Sequence, residues 1–288
     1  MRSKERTSAP SSPRSDRTVT ADRKIIDSPL AGATLTEPGA GGFDYRPVAV
    51  MPDVKVLKLG GQSLLDRGRA AVFPVLDEIV AARKRGIAVL VCTGGGTRAR
   101  HIYSIASELE LPTGVLAKLG SYIPMQNARM MQMLLAKHGG IFILPDDFEK
   151  LPLYLQLGCI PIMNGMPPYE YWEKRESGSR IPPHRTDAGV FLSAEFLGVR
   201  RALFIKDEDG LFTHDPKKDP NATHIPRISA QELLKRDLPD LVLERSVIEM
   251  MTYSKWTKEC QIVNGLKPDQ VRAALDGEDV GTIIYSET

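Results

Sequence analysis

The chain has 288 residues, 42% of them hydrophobic and 26% charged, enough to bury the core of one large α/β domain or two small ones. A formal net charge of +2 excludes a general electrostatic attraction to nucleic acid or to an acidic membrane surface. No apolar run approaches the ~20 residues of a membrane-spanning helix. Cys92, Cys159 and Cys260 are widely spaced, without CxxC pairing, and the N-terminus has basic residues but no apolar segment. Reduced thiols and a cytoplasmic setting are therefore expected, with no secretory signal.

Residues 1–52 are rich in Ser, Thr, Arg, Pro and Gly and lack any sustained period. They predict a mostly disordered tail, in which Ile25-Ile26 and Pro29-Leu30-Ala31 are the small apolar groups available for docking. Val54, Val56, Leu57 and Leu59 then predict a buried first strand. It runs into Gly60-Gly61, where backbone N–H groups can approach an anion, and Gln62-Ser63 lead on to a helical pattern. Lys58 either brings its ammonium to that anion or is an edge-strand lysine before a turn.

Val72, Val75, Leu76, Ile79 and Val80 form a helical stripe over 69–85, closed by Gly86. A second strand over 87–92 ends in Gly94-Gly95-Gly96, which opens a second helix over 99–109. Two strand–glycine–helix units in succession imply parallel strands with anion-facing loops at one sheet edge. Pro112-Thr113-Gly114 breaks the pattern, and a methionine-rich helix follows over 121–138, a core or subunit-contact element. Strands at 141–144 and 159–163 flank a helix carrying Leu151, Leu153, Tyr154 and Leu157, and 164–183 is a long irregular loop. Thr186-Asp187 opens a helix to 197, and a strand over 201–206 leads into a segment with the Asp-Gly and Asp-Pro punctuation of a hairpin or tight loop. Helices near 230–236 and 247–258, strands at 261–263 and 281–285, and a helix over 268–275 complete one α/β domain spanning 53–288.

The Walker signature GxxxxGK[ST] is absent. Residues 94–99 fit the GxGxxG/A dinucleotide fingerprint, but they follow the second strand, and the next strand lacks the acidic ribose ligand at its end. A different constellation remains: Lys58 with Gly60-Gly61, the loop Gly94-Gly95-Gly96, Thr186-Asp187, and Lys206-Asp207-Glu208-Asp209-Gly210. Phosphoryl transfer needs cations, backbone donors and Mg²⁺ more than covalent chemistry from protein. On this reading Lys58 and Lys206 bracket the β/γ-phosphates, the glycine loops cradle them, and Asp187 orders the site through lysine or Mg²⁺. Asp187 also reads as an ordinary first-turn helix acid, and 207–209 as a solvated turn. His101 beside Arg100 and His184 beside Arg185 form an anion path or lie in solvated loops; His138 reads as a helix C-terminal cap.

The four parts, in this order, resemble the amino acid kinase superfamily, which includes acetylglutamate kinase, aspartokinase and uridylate kinase. Residues 60–69, 97–104, Gln126-Asn127, 166–169 and 180–189 resemble the molybdenum storage protein family within it, its β-subunit type most closely. The resemblance implies a three-layer αβα sandwich with a mainly parallel central sheet. It also implies storage of molybdate or tungstate with ATP and Mg²⁺, as polynuclear oxide clusters inside a hexameric cage of homologous subunits, homo- or hetero-oligomeric. ATP hydrolysis would be coupled to oxoanion deposition, with Lys58 and Asp187 in catalytic roles. The implied ATP contacts are Lys58, Gly60, Gly61, Gln62, Gly94, Gly95, Gly96, Lys206, Asp209, Gly210, Phe212, Asp215 and Pro216. The implied metal-oxide contacts are Gln126, Asn127, His138, Arg100, His101 and His184. Thr97 and Ser121 stand where uridylate kinases carry Asn and Asp for a nucleoside monophosphate. The alternatives are a small-molecule kinase of the uridylate or amino acid kinase type, or a scaffold subunit beside an active partner.

Overall fold

β1 (Lys55–Leu59) occupies the centre of the sheet because Val56, Leu57 and Leu59 are apolar towards both faces, with Lys58 buried among them and Lys55 half-buried at the start. The computed structural model describes residues 48–171, 181–238 and 241–287. The tail expected over 1–52 lies outside the described residues as far as 47. Successive strand residues alternate between faces. Val56 therefore joins Leu90, Phe204 and Ile262 in one hydrophobic layer, while Leu57 and Leu59 join Val91, Leu203 and Val263 in the other. Lys58 falls on the Val56 side. That parity sends a buried ammonium towards one particular helix layer.

A 3₁₀ turn (Leu65–Arg67) and α1 (Arg69–Lys84) lead to β2 (Val89–Thr93), α2 (Gly96–Glu108) and α3 (Thr113–Leu135). β3 (Gly140–Phe142), α4 (Leu151–Gln156), β4 (Ile160–Asn164), α5 (Thr186–Leu197) and β5 (Arg201–Lys206) follow. The rest comprises β6 (Leu211–Phe212), β7 (His224–Ile225), β8 (Arg227–Ser229), α6 (Ala230–Arg236), α7 (Arg245–Met251), β9 (Glu259–Asn264), α8 (Gln270–Leu275) and β10 (Thr282–Tyr285). The main sheet runs β3-β4-β2-β1-β5-β9-β10-β8, and β6 pairs with β7 separately. Every neighbour pair in the main sheet is parallel except β9 with β10. Residues of α1, α3 and α8 cover one face; residues of α4, α5, α6 and α7 cover the other. The expected mainly parallel sandwich is the observed one. Among the described residues no helix is long and apolar enough to cross a membrane.

Three differences from expectation have physical causes. α3 begins at Thr113, eight positions before the expected start, and runs through Gly114, Gly120 and Pro124. The glycines are there for contact: a Cβ at Gly114 would meet the backbone of Tyr171, and one at Gly120 the ring of Tyr103. α7 ends at Met251 rather than 258, because the Glu195 carboxylate takes the N–H groups of Lys255, Trp256 and Thr257 and holds that segment out of a helix. β8, too short and too close to Pro226 to be read from periodicity, closes the sheet beside β10.

β1, β2, β4 and β5 all point their C-terminal ends to one edge. The chain progresses from β1 outwards through β2 and β4, then returns to the other side of β1 with β5. Ligands of open α/β sheets lie in the crevice beyond the strand ends at such a reversal.

Candidate active site

The crevice is a cavity of about 530 Å³. Lys58 enters it from β1 and Lys206 from the end of β5, both towards Asp187 in the first turn of α5. Lys58 donates to Asp187 Oδ1, and Lys206 Nζ lies 3.3 Å from Oδ2. Lys206 also donates to the Val242 carbonyl at 2.9 Å. Lys58 is 5% exposed and Asp187 4%. Burial pushes the Asp187 carboxyl up, but the Lys206 and Lys58 charges outweigh it and hold the group well below the usual carboxylate range. Burial pushes the Lys206 ammonium down, against the pull of Asp187 and in the same sense as the repulsion from Lys58. Two ammoniums thus converge on one buried carboxylate, and the Glu244 carboxylate lines the same cavity.

Asp187 is fixed by a residue that no local motif announces. The Glu244 carboxylate accepts the N–H groups of Arg185 (2.8 Å), Asp187 (3.1 Å) and Ala188 (3.3 Å). The Glu244 N–H in turn donates to Asp187 Oδ2 at 3.2 Å. Arg185, at the N-cap, makes no side-chain capping bond, so Glu244 serves as a cap supplied from a distant segment. Glu244→Ala is expected to lower the unfolding free energy by about 1–2 kcal/mol in a urea titration. Glu244→Gln, which keeps an acceptor oxygen, is expected to recover part of the loss.

The two glycine loops meet backbone to backbone. Gly60 N–H donates to the Ile205 carbonyl and Gly94 N–H to the Leu59 carbonyl, so the strand ladders run directly into the loops. A Cβ at Gly61 would lie 2.1 Å from the Gly96 nitrogen. Asp66 accepts the Thr97 N–H at 2.7 Å, placing a carboxylate at the start of α2. Asn127, fully buried on α3, donates to the Gly94 carbonyl at 2.6 Å and accepts from Arg98.

Beyond β5, Asp207 pairs with Arg67 at 2.5 Å and Lys217 at 3.4 Å, and Glu208 pairs with Lys217 at 2.5 Å. Phe212 faces the His224 ring, with centroids 5.2 Å apart. Of the expected ATP contacts, all line the cavity except Asp209. Asp209 instead accepts from Lys267 at 2.7 Å and Asn264 at 3.0 Å. The expected metal-oxide contacts do not converge. Arg100 lines the cavity, but His101, Gln126, Asn127, His138 and His184 are not on its wall. His101 and Gln126 are exposed, and the His184 carbonyl accepts the Tyr169 hydroxyl. Among the described residues no group of three or more His, Cys, Asp or Glu is arranged to hold a metal ion.

The sequence pattern of the Amino acid kinase family matches residues 53–255. The molybdenum storage protein subunit beta of Azotobacter vinelandii is 46% identical over 267 residues, covering 93% of this chain and 97% of that protein. The crystal structure of uridylate kinase from Archaeoglobus fulgidus matches with a TM-score of 0.60 at 26% identity, covering 81% of this chain and 99% of that one. A UMP kinase from Bacillus anthracis matches with a TM-score of 0.63 over 82% of this chain and 97% of that one. At 19% identity this last likeness is one of fold.

Proposed function

Because the chain belongs to the amino acid kinase family, we propose that it is an ATP-dependent molybdate or tungstate storage subunit. It acts with homologous subunits in a cytoplasmic, hexameric cage that holds oxoanions as polynuclear oxide clusters. The observation that carries the reading is the convergence of two ammoniums, Lys58 and Lys206, on Asp187 beside two glycine loops in one cavity. Two ammoniums beside loops that allow close backbone approach suit an anion, and the γ-phosphate of ATP supplies one. Relatedness to a molybdenum storage subunit over 97% of its length supports an oxoanion rather than a metabolite as the cargo.

Bound ATP would supply the phosphoryl group whose transfer or hydrolysis drives deposition. Lys58 and Lys206 would bracket the β/γ-phosphates, Asp187 would hold both ammoniums in register, and loop N–H groups would meet the spreading charge. Asp187, Asp207 and Glu208 already face lysine or arginine. Mg²⁺ would therefore be held chiefly by nucleotide phosphates.

The test is to load the full-length protein with molybdate and ATP, desalt it and measure molybdenum per chain. Retention far above one atom per chain, with ADP release that requires molybdate, is the expected result. Retention of none would refute the proposal. The second reading, a nucleoside monophosphate kinase, is favoured by the 26% identity to a uridylate kinase structure. It predicts ADP release on addition of UMP. Against it, the Ser121 hydroxyl donates to the Lys118 carbonyl at 2.7 Å, and Ser121 is not on the cavity wall.

A further inference from the structure

Two buried side-chain donors have no hydrogen-bond partner among the described residues: the Trp256 indole N–H and the Tyr103 hydroxyl. Only Tyr103 lies on the cavity wall. It sits on α2 three residues after Arg100, about one helical turn, so both side chains leave the same face. Its ring packs among Ala106 and Leu116, and the residue is 6% exposed. The hydroxyl rests over Gly120 of α3, where a Cβ would fall 2.1 Å from the oxygen. A glycine at 120 is therefore what admits the phenol.

A buried hydroxyl left unpaired is unfavourable, and such groups in native structures call for an occupant. The surroundings specify its charge. Arg100 and Arg185 line the same cavity, and the Arg185 guanidinium is 3.8 Å from the Glu244 carboxylate that caps α5. Burial holds the Tyr103 hydroxyl up at about 12, despite the Arg185 charge that pulls it down. At neutral pH it is protonated and available as a donor.

We infer that Tyr103 donates a hydrogen bond to a tetrahedral oxoanion bound between Arg100 and Arg185, its ring swinging off Gly120 to meet the ligand. The oxoanion is either free molybdate or the phosphate of a nucleoside monophosphate. Arginine forks match the oxygens of such an anion, and a neutral donor adds a directional contact that favours an oxygen acceptor. The inference rests on the reading of the cavity as the place where an acceptor anion meets a phosphoryl donor.

The experiment titrates full-length protein and Tyr103→Phe, each with a non-hydrolysable ATP analogue present, against molybdate and separately against UMP. Tyr103→Phe removes one oxygen without opening a cavity, so the melting temperature of the unliganded variant should be no lower than that of the wild type. Affinity for whichever anion the wild type binds should fall by about 10-fold or more, as for a lost hydrogen bond to a charged group. A change below twofold overturns the inference, as does a wild type that binds neither anion. If the wild type binds UMP alone and Tyr103→Phe weakens it, the inference stands and the storage proposal falls. If molybdate is retained equally by both proteins, the storage proposal stands and the inference falls.

Discussion

Asp187→Ala is expected to destabilise the protein by about 3–5 kcal/mol, the range for removing one partner of a buried ion pair. Lys58 and Lys206 would then lose the carboxylate that both contact, each being held largely out of water. Lys58 cannot retreat, because β1 is hydrogen-bonded to β2 and β5 on its two sides and fixes the direction of the side chain. The pH dependence separates this cause from lost packing. The native carboxyl titrates below its ordinary 3.8, held there by the lysine charges against the effect of burial. Its contribution is thus complete above pH 3.8 and is lost as pH falls through the lower native value. Urea midpoints should differ most between wild type and variant at neutral pH and converge in acid. A difference that stays constant with pH would assign the loss to packing.

Gly61→Ala is expected to weaken ATP binding, because one loop of the phosphate cradle must shift, and to cost about 1–3 kcal/mol of stability as overpacking does. The added methyl would meet the Gly96 nitrogen at 2.1 Å, the Gly96 Cα at 2.5 Å and the Gly95 carbonyl carbon at 2.7 Å. All three are backbone atoms, so no rotamer change relieves the clash and one loop has to move off the other. Gly86→Ala is the control. Gly86 has φ +89 and open space around its Cα, so its cost is confined to the left-handed backbone, about 1–2 kcal/mol. Nucleotide titration of the two variants separates loop contact from backbone strain, and wild-type affinity in Gly61→Ala would remove the phosphate cradle from consideration.

Much of this was legible in the sequence, for reasons that can be stated. α5 and β5 match their expected bounds to the residue, because an apolar helix pattern ended by glycine and a continuous apolar run are both strong local signals. The glycine loops were legible because each follows an apolar strand and precedes a helix. Glu244 was not, since a cap supplied from 57 positions away leaves no local pattern. The start of α3 was misread because Gly114, Gly120 and Pro124 look like breakers in one dimension. Tyr171 and Tyr103 require the two glycines in three dimensions, and the Pro124 carbonyl accepts the Thr93 hydroxyl at 2.7 Å. Arg100 and His101 are adjacent on α2, where neighbouring side chains diverge by about 100°. Arg100 therefore lines the cavity, whereas His101 is exposed and off its wall.

The distance along the chain between the charges of the site also bears on how the protein comes into being. Lys58 and Asp187 are 129 positions apart, and Glu244 belongs to a still later segment. A nascent chain that has emerged only as far as β4 carries the Lys58 ammonium with no counter-charge to bury it against. Docking of β1 into a closed sheet is therefore disfavoured until α5 has been synthesised, and α5 lacks its cap until Glu244 follows. The complete site therefore requires the chain out to Glu244, and a product of translation that stops short of that segment lacks the cap of α5.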